Sequence, residues 1–202
     1  MSMTQQIVGN LYNKYLSQKP LERYLLNRFI SQFIVLYNRV NPNSVLDIGC
    51  GEGYLTEILQ KKNPKTLFVG TDTDANFLLG ETSNRVRNLV TFELPRTCFQ
   101  KESFDLVILS EVLEHIEHTH DALDAVSSLA RYGVIITVPH EPFWMICNLL
   151  RFHYIGRWGD TPGRVKHFSY KGFRRTLRRH FHDVCLYSCF PWLMALCLKG
   201  ND

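Results

Sequence analysis

The chain has 202 residues, of which 45% are apolar and 21% charged, and it carries a net charge of +4. This composition is that of a single folded globular domain and excludes a disordered or fibrous chain. No apolar run approaches the roughly 20 residues that cross a bilayer, and the N-terminus lacks the basic and apolar regions of a secretory signal, so we expect a cytoplasmic protein.

The first predicted element is an amphipathic helix over Leu21–Asn38. Its apolar side chains recur at helical spacing and so predict one buried face. The turn-forming run Asn41-Pro42-Asn43 then directs the chain into a strand. The residues of the predicted buried face are Leu25, Phe29, Phe33 and Leu36.

Short β-branched runs alternate with helical patterns along the rest of the chain, which is typical of a mainly parallel sheet with crossover helices. The runs are nearly continuous in hydrophobicity, as expected of strands covered on both faces. The predicted strands are Ser44–Ile48, Thr66–Gly70, Leu89–Phe92, Phe104–Leu109, Val134–Val138, Val184–Ser188 and Trp192–Leu198. The predicted helices after the first are Gly53–Lys62, Asp74–Leu79, Thr119–Arg131 and one capped by Ser169 that runs to about Phe181.

A glycine-rich turn follows the first predicted strand, in the run VLDIGCGEG from Val45 to Gly53. Its GxGxG spacing differs from the GxGxxG of dinucleotide sites, and Asp47 and Glu52 place carboxylates beside it. These acids would repel a diphosphate and attract a cation. S-adenosylmethionine carries an ammonium and a sulfonium, so the charge pattern favours this cofactor over a dinucleotide.

A second acidic position follows the next predicted strand, in the run LFVGTD that ends at Asp72. A carboxylate at the carboxyl end of this strand is placed to accept hydrogen bonds from both hydroxyls of a ribose. We therefore predict that Asp72 binds the ribose of the cofactor.

Together, VLDIGCGEG, VGTD and FDLVILSEVLEHI resemble the class I methyltransferases, particularly the broad group that includes the ubiquinone-biosynthesis O-methyltransferases. The resemblance covers about Pro42 to Val138. It implies a Rossmann-like, seven-stranded, mostly parallel sheet of order 3-2-1-4-5-7-6 with helices on both faces. The chain departs from these relatives in a shorter loop, Phe92-Glu93-Leu94-Pro95-Arg96, where they usually carry an Asp before Leu-Pro-Phe.

The resemblance also implies which residues bind the cofactor, whose product is S-adenosylhomocysteine. Asp47, Gly49 and Gly51 would hold its methionine part and Asp72 its ribose. The full predicted set is Asp47, Gly49, Cys50, Gly51, Asp72, Thr73, Glu93, Leu94, Ser110 and Glu111, with Glu93 and Leu94 at the adenine.

The predicted organisation is one domain over residues 1–202. Residues 1–40 form an N-terminal helical lid, 41–140 the cofactor-binding core, 141–170 an insertion on the acceptor side, and 171–202 a helix with antiparallel strands. In the lid, Tyr12 and Tyr15 either touch the cofactor or belong to an exposed polar helix.

Methyl transfer requires alignment of donor and acceptor, and a base where the acceptor is a hydroxyl. His140 follows the fifth predicted strand and is our first candidate for that base; a purely structural role, bonded to a loop carbonyl, is the alternative. His115 and His167 are further candidates.

A metal site is a separate hypothesis. If the turn after the fourth strand is helical, Glu111, Glu114 and His115 face one direction and could bind a divalent cation. In this run the chain also resembles the small-RNA 3′-terminal 2′-O-methyltransferases, in which a later histidine, here His167, completes the site. Similar strings occur in relatives that bind no metal.

The segment Pro142–Phe152 is apolar nearly all round. Such a helix is either a buried cap over the cleft or an interfacial helix beside a groove for a lipid acceptor. The run PxEPxW that starts at Pro139, with the later TPG, resembles methyltransferases that accompany sugar and lipid-carrier glycosyltransferases.

From Arg151 to His182 the chain has nine Lys and Arg residues and a single acid, Asp160. This asymmetry indicates either an anionic partner, such as phosphate, nucleic acid or a membrane surface, or a solvated helix face. We therefore expect methyl transfer to oxygen or nitrogen of a small, glycan or lipid-linked anionic acceptor, with peripheral membrane contact. An RNA 2′-O-methyltransferase and a non-catalytic cofactor-binding scaffold are the alternatives.

Overall fold

The computed structural model describes residues 14–73, 81–150, 155–161 and 163–200. The predicted helix Asp74–Leu79 lies outside this range, as do Tyr12, Arg151 and the end of the apolar segment at Phe152. In the part of the chain that is described, no helix combines the length and the apolar character that a bilayer span requires.

Helices and strands alternate along the chain as predicted. The helices are α1 (Pro20–Val40), α2 (Tyr54–Lys62), α3 (Glu81–Arg85), α4 (Thr119–Leu129), α5 (Phe143–Leu150) and α6 (Tyr170–Leu177). The strands are β1 (Ser44–Ile48), β2 (Leu67–Asp72), β3 (Asn88–Thr91), β4 (Phe104–Ser110), β5 (Ala130–Pro139), β6 (Asp183–Cys189) and β7 (Trp192–Leu198). Short 3₁₀ turns occur at Lys14–Leu16, Leu113–His115 and Ile155–Arg157.

All seven strands form one sheet in the order β3-β2-β1-β4-β5-β7-β6, which confirms the predicted fold class and strand order. Strands β1 to β5 are parallel, and β7 runs antiparallel between β5 and β6. The registers bring the carboxyl ends of β1, β2, β4 and β5 to the same edge, since Ile48 pairs with both Thr71 and Leu109, and Ser110 pairs with Thr137. Ligands of open α/β sheets bind at this edge.

The sheet separates two apolar layers. On one side Phe29, Phe33 and Leu36 of α1 pack with alternate residues of β4 such as Leu106, whereas Val107 belongs to the layer under α4 and α6. Because consecutive strand residues point to opposite faces, a strand covered on both sides must be apolar throughout. This explains the continuous hydrophobic runs in the sequence.

Within the described residues, the predicted boundaries agree with the structure to within two residues except at the start of β5 and the end of α6. Strand β5 begins at Ala130, four residues before Val134, because Ala130 pairs with Phe104 ahead of an irregularity in the register. Helix α4 therefore ends at Leu129. Helix α6 begins after Ser169, whose hydroxyl accepts a hydrogen bond from the Gly172 amide (3.2 Å), as predicted, but it ends at Leu177 rather than near Phe181.

Helix α1 is expected to contribute strongly to stability through Phe29, which is fully buried and contacts Trp192 edge to face at 5.0 Å. Replacing Phe29 by Ala leaves a cavity that the surrounding layer fills only in part, so the free energy of unfolding should fall by about 3–5 kcal/mol. Chemical denaturation followed by circular dichroism measures this. The control Leu21→Ala removes a side chain that is 63% exposed and should change stability by less than about 0.5 kcal/mol; equal effects of the two variants would contradict the packing described here.

Candidate functional site

The glycine-rich turn after β1 depends on backbone conformations that favour glycine. Gly49, Gly51 and Gly53 have φ angles of 71°, 52° and 76°, in the left-handed region that L side chains rarely adopt. A Cβ on Gly49 would lie 2.4 Å from Val112 Cγ2, so no larger residue fits there. The Gly49 amide donates to the Thr71 carbonyl at 2.7 Å, which fixes the turn to the end of β2.

Asp47 lies at the end of β1 with only 2% of its surface exposed. Burial raises the pKa of its carboxyl from 3.8 to about 7; the Thr56 hydroxyl, which donates to Oδ2, lowers it, and the negative charge of Asp72 raises it further. A buried carboxylate beside a second acid is destabilised by both effects. The site therefore favours a positively charged ligand.

Asp72 ends β2 and reaches the same turn. Its Oδ2 accepts a hydrogen bond from the Gly51 amide at 3.1 Å. Burial, together with the charges of Asp47 and Asp72, raises the pKa of the Cys50 thiol, so Cys50 stays neutral at physiological pH. Cys50, Gly51 and Asp72, all predicted to bind the cofactor, thus lie together around one acidic bend.

The N-terminal segment packs against this bend through Tyr15. Its ring stacks on that of Tyr54 with centroids 5.0 Å apart, and burial, then the charges of Asp47 and Glu52, raise the pKa of its phenol. The segment is held to α1 by the Ser17 hydroxyl, which donates to the Glu22 carboxylate. The structure therefore brings Tyr15 to the site, as the lid hypothesis requires.

Tyr54 and Arg85 also belong to this region, and sequence reasoning missed both. The Arg85 guanidinium carbon lies 4.1 Å from the centre of the Tyr54 ring, and Nη1 donates to the Glu52 carbonyl at 3.3 Å. The only signal in the sequence was the position of Tyr54 directly after the glycine run. No pattern pointed to Arg85.

The other predicted cofactor residues lie along the same edge of the sheet. Thr73 follows β2, and Glu93 and Leu94 follow β3; Thr73 and Glu93 are exposed, and Leu94 is half-buried against the apolar layer. At the end of β4, the Ser110 and Thr137 hydroxyls are 3.1 Å apart and link β4 to β5.

His140 directly follows β5. Its amide donates to the Pro191 carbonyl at 2.9 Å, and its ring meets the edge of Phe143 with centroids 5.0 Å apart. Ring atom Nδ1 is buried and has no hydrogen-bond partner, so the ring is not held by a loop carbonyl through this atom. Burial lowers the pKa of the imidazole, against the opposing charge of Glu141, and so favours the neutral form, which is the form that can accept a proton.

The structure does not bring the four hypothetical metal ligands together. Glu111 has a φ of 58° and lies ahead of the 3₁₀ turn Leu113–His115 rather than on an α-helix, so the predicted helical face does not form. Its Oε1 accepts a hydrogen bond from Trp192 Nε1 at 2.5 Å. His115 Nδ1 lies 2.9 Å from the Gly163 carbonyl, and His167 Nε2 lies 3.1 Å from Asp160 Oδ1. Over residues 14–73, 81–150, 155–161 and 163–200, no three His, Cys, Asp or Glu side chains are placed to share a metal ion.

The insertion after β5 is fastened by a buried ion pair. Arg164 is 2% exposed, and its Nη1 lies 2.7 Å from Glu141 Oε1 and 3.7 Å from Asp160 Oδ1. The Asn148 side chain, also buried, donates to the Gly159 carbonyl at 2.8 Å. These contacts fold the segment that follows α5 back onto that helix.

Helix α5 is buried on one face only. It is therefore neither the fully buried cap nor the fully interfacial helix that the sequence allowed. Trp144 packs on Trp192 with ring centroids 5.5 Å apart, whereas Phe143 and Ile146 are 43% and 47% exposed. Beyond the helix, Trp158 is 78% exposed. The insertion after β5 therefore presents exposed apolar side chains, of which Phe143 contacts the ring of His140.

Comparison with known proteins shows that this chain is similar to methyltransferases. Residues 46–136 match the family model described as "Methyltransferase domain". A malonyl-[acyl-carrier protein] O-methyltransferase of Bacillus cereus is 27% identical over 140 residues, covering 65% of this chain and 50% of that protein. The chain thus spans about half the length of this curated relative.

Solved structures share the fold at low identity. The methyltransferase domain of bacterial CtHen1-C has a TM-score of 0.68 at 18% identity, covering 88% of this chain and 100% of that one. Magnesium protoporphyrin IX methyltransferase from Synechocystis PCC 6803, with bound S-adenosylhomocysteine, has a TM-score of 0.66 at 16% identity, covering 91% and 89%.

Replacing Asp47 by Asn should separate cofactor binding from stability. Because the pKa of Asp47 is raised in the folded state, ionisation of this carboxyl opposes folding. The contribution of Asp47 to the free energy of unfolding is therefore most favourable below about pH 4 and is lost as the pH rises to about 7. At about pH 8, Asp47→Asn should therefore raise the free energy of unfolding by on the order of 2 kcal/mol, while affinity for S-adenosylmethionine falls about tenfold or more. Denaturation and calorimetry measure the two quantities.

Asp105→Asn is the matched control, because Asp105 is equally buried but pairs with Arg131 at 3.2 Å. It should leave cofactor affinity unchanged and should not stabilise the protein. A loss of stability in Asp47→Asn at about pH 8 would show that the ionised carboxylate is not destabilised in the free protein.

Proposed function

We propose that this chain is a class I S-adenosylmethionine-dependent methyltransferase and that it methylates an oxygen or nitrogen of a small, lipid-linked or glycan acceptor. The observation that carries the choice of cofactor is the cluster of acids at the glycine turn. Asp47 and Glu52 flank the turn, and Asp72 is hydrogen-bonded to its backbone.

These residues fit the cofactor chemically. When bound, S-adenosylmethionine supplies a methyl group on a positively charged sulfur. The acids balance the positive charges of such a ligand, whereas the diphosphate of a dinucleotide would meet like charge. Asp72 would bind the ribose hydroxyls, and Tyr15 would cover the methionine end and exclude water from it.

His140 is proposed as the general base for a hydroxyl acceptor. It stands at the end of β5, on the sheet edge that also carries the acidic turn, and burial favours its neutral form. As the acceptor oxygen forms its new bond to the methyl carbon, its proton would pass to a ring nitrogen of His140. His115 and His167 are less suited, since both are exposed and each ring contacts a neighbour in the insertion.

The exposed apolar side chains of the insertion support a hydrophobic acceptor. Phe143, whose ring contacts that of His140, is 43% exposed, and Ile146 and Trp158 are 47% and 78% exposed. Such aromatic and aliphatic surface suits the apolar part of a lipid-linked molecule. An RNA 2′-O-methyltransferase has less support, because in the described part of the chain its predicted metal ligands are not placed to share an ion.

The acceptor class is tested by incubating the purified chain with methyl-labelled S-adenosylmethionine and a total extract that is then separated into organic, aqueous, RNA and protein fractions. Label in the organic fraction is expected. Label confined to RNA or protein would refute a lipid-linked or glycan acceptor, and no label in any fraction would favour a scaffold without catalytic activity. The Asp47→Asn variant serves as the cofactor-binding control.

Replacing His140 by Gln should lower kcat for a hydroxyl acceptor by about 10²-fold or more, the usual contribution of a general base. The affinity for S-adenosylmethionine, measured by calorimetry, should change by less than about twofold, since the proposed role is limited to the acceptor. His167→Gln is the matched control and should retain most activity. If His140→Gln turned over at the wild-type rate, alignment alone would account for the reaction.

A further inference from the structure

Helix α6 and the turn that follows it carry five basic side chains on their outer side, which we call the basic stripe: Lys171, Arg174 and Arg175 in the helix, and Arg178 and Arg179 just after it. All five are exposed, and together they line one depression in the surface. The opposite face of the helix buries Phe173 and Leu177 in the apolar layer. The spacing places five positive charges along roughly 12 Å of one side of the chain.

The stripe is unfavourable without a counter-charge. Its members are three and four residues apart, and like charges at these spacings destabilise a helix. Among the described residues, none of the five forms an ion pair, whereas other exposed cations such as Lys61 and Arg131 do. The carboxyl end of the helix dipole favours Arg174 and Arg175 in the last turn and Arg178 at the C-cap. It does not offset the repulsion between these neighbouring cations, and it gives nothing to Lys171, which lies in the first turn.

We propose that the basic stripe docks the protein on the surface of an anionic lipid bilayer. A row of unpaired cations on an amphipathic helix matches the negative potential of such a surface. Exposed Ile155 and Trp158 flank Arg157 in the insertion, and apolar and aromatic side chains beside a cation suit the bilayer interface.

A nucleic-acid backbone would also attract the stripe, but the neighbouring residues do not suit it. Between the cations lie Gly172 and Thr176, and Phe173 is buried. Tyr170, at the start of the helix, is 38% exposed and is the single exposed aromatic side chain of residues 170–179. One ring at the end of the stripe does not form the series of platforms on which successive bases stack.

The basic stripe begins close in sequence and in space to the end of β5, where His140 lies. Phe168 pairs with His140 at the end of β5, and the Glu141 amide donates to the Phe168 carbonyl at 3.0 Å. Helix α6 begins two residues later, so the stripe starts beside the mouth of the site. If the acceptor is lipid-linked, docking would bring this mouth to the membrane; that link rests on the proposed function, whereas the docking does not.

The test is binding of the intact chain to phosphatidylcholine vesicles with and without phosphatidylglycerol, measured by co-sedimentation without acceptor or turnover. The wild-type chain should bind the anionic vesicles about tenfold or more tightly than the neutral ones, and added salt should weaken this binding. Replacing Arg174, Arg175, Arg178 and Arg179 by Gln should remove about tenfold or more of that affinity.

The matched control replaces Arg23, Arg28, Lys62 and Lys65 by Gln, which removes the same charge from exposed positions elsewhere. It should keep vesicle affinity within about twofold of the wild type. Thermal unfolding and calorimetry with S-adenosylmethionine verify that both variants fold. Equal binding to neutral vesicles, an equal loss in the control, or binding to short RNA but not to vesicles would each overturn the proposal. If the chain bound anionic vesicles but methylated no lipid, the lipid-linked acceptor would be refuted and the docking proposal would stand.

Discussion

The structure depends on a concentration of negative charge at the end of its central strands. Asp47 is buried at the end of β1, and Asp72, at the end of the neighbouring β2, raises its pKa further. Charge of one sign in a poorly solvated place opposes folding unless a ligand of opposite sign binds there. The same feature therefore explains a local instability of the free protein and the selection of a cationic donor.

The rest of the fold positions the edge of the sheet at which these two acids lie. The parallel register aligns the ends of β1, β2, β4 and β5, and the two apolar layers keep those strands rigid. The glycine turn is bonded to β2 through Gly49 and Gly51, and the N-terminal segment covers it through Tyr15. The buried Arg164 side chain pairs with Glu141 and fastens the insertion that follows β5.

The strands and the glycine turn could be predicted from the sequence because they depend on local patterns of residues. Continuous apolar runs gave the strands, and the glycines and acids gave the turn. The resemblance gave the strand order. Contacts between distant residues left no such pattern: Glu111 meets Trp192, and Arg164 meets Glu141, across separations of 81 and 23 residues. The helical face proposed for Glu111, Glu114 and His115 failed for a local reason, since Glu111 adopts a positive φ that ends any helix at that point. The early start of β5 follows from pairing with β4, which propensity does not encode.

The central claim is that the acidic turn selects a positively charged donor. Calorimetric titration of the purified chain with S-adenosylmethionine and, separately, with a nicotinamide dinucleotide tests it most directly. The account predicts saturable binding of S-adenosylmethionine and no detectable uptake of the dinucleotide. Binding of the dinucleotide in preference to S-adenosylmethionine would contradict it.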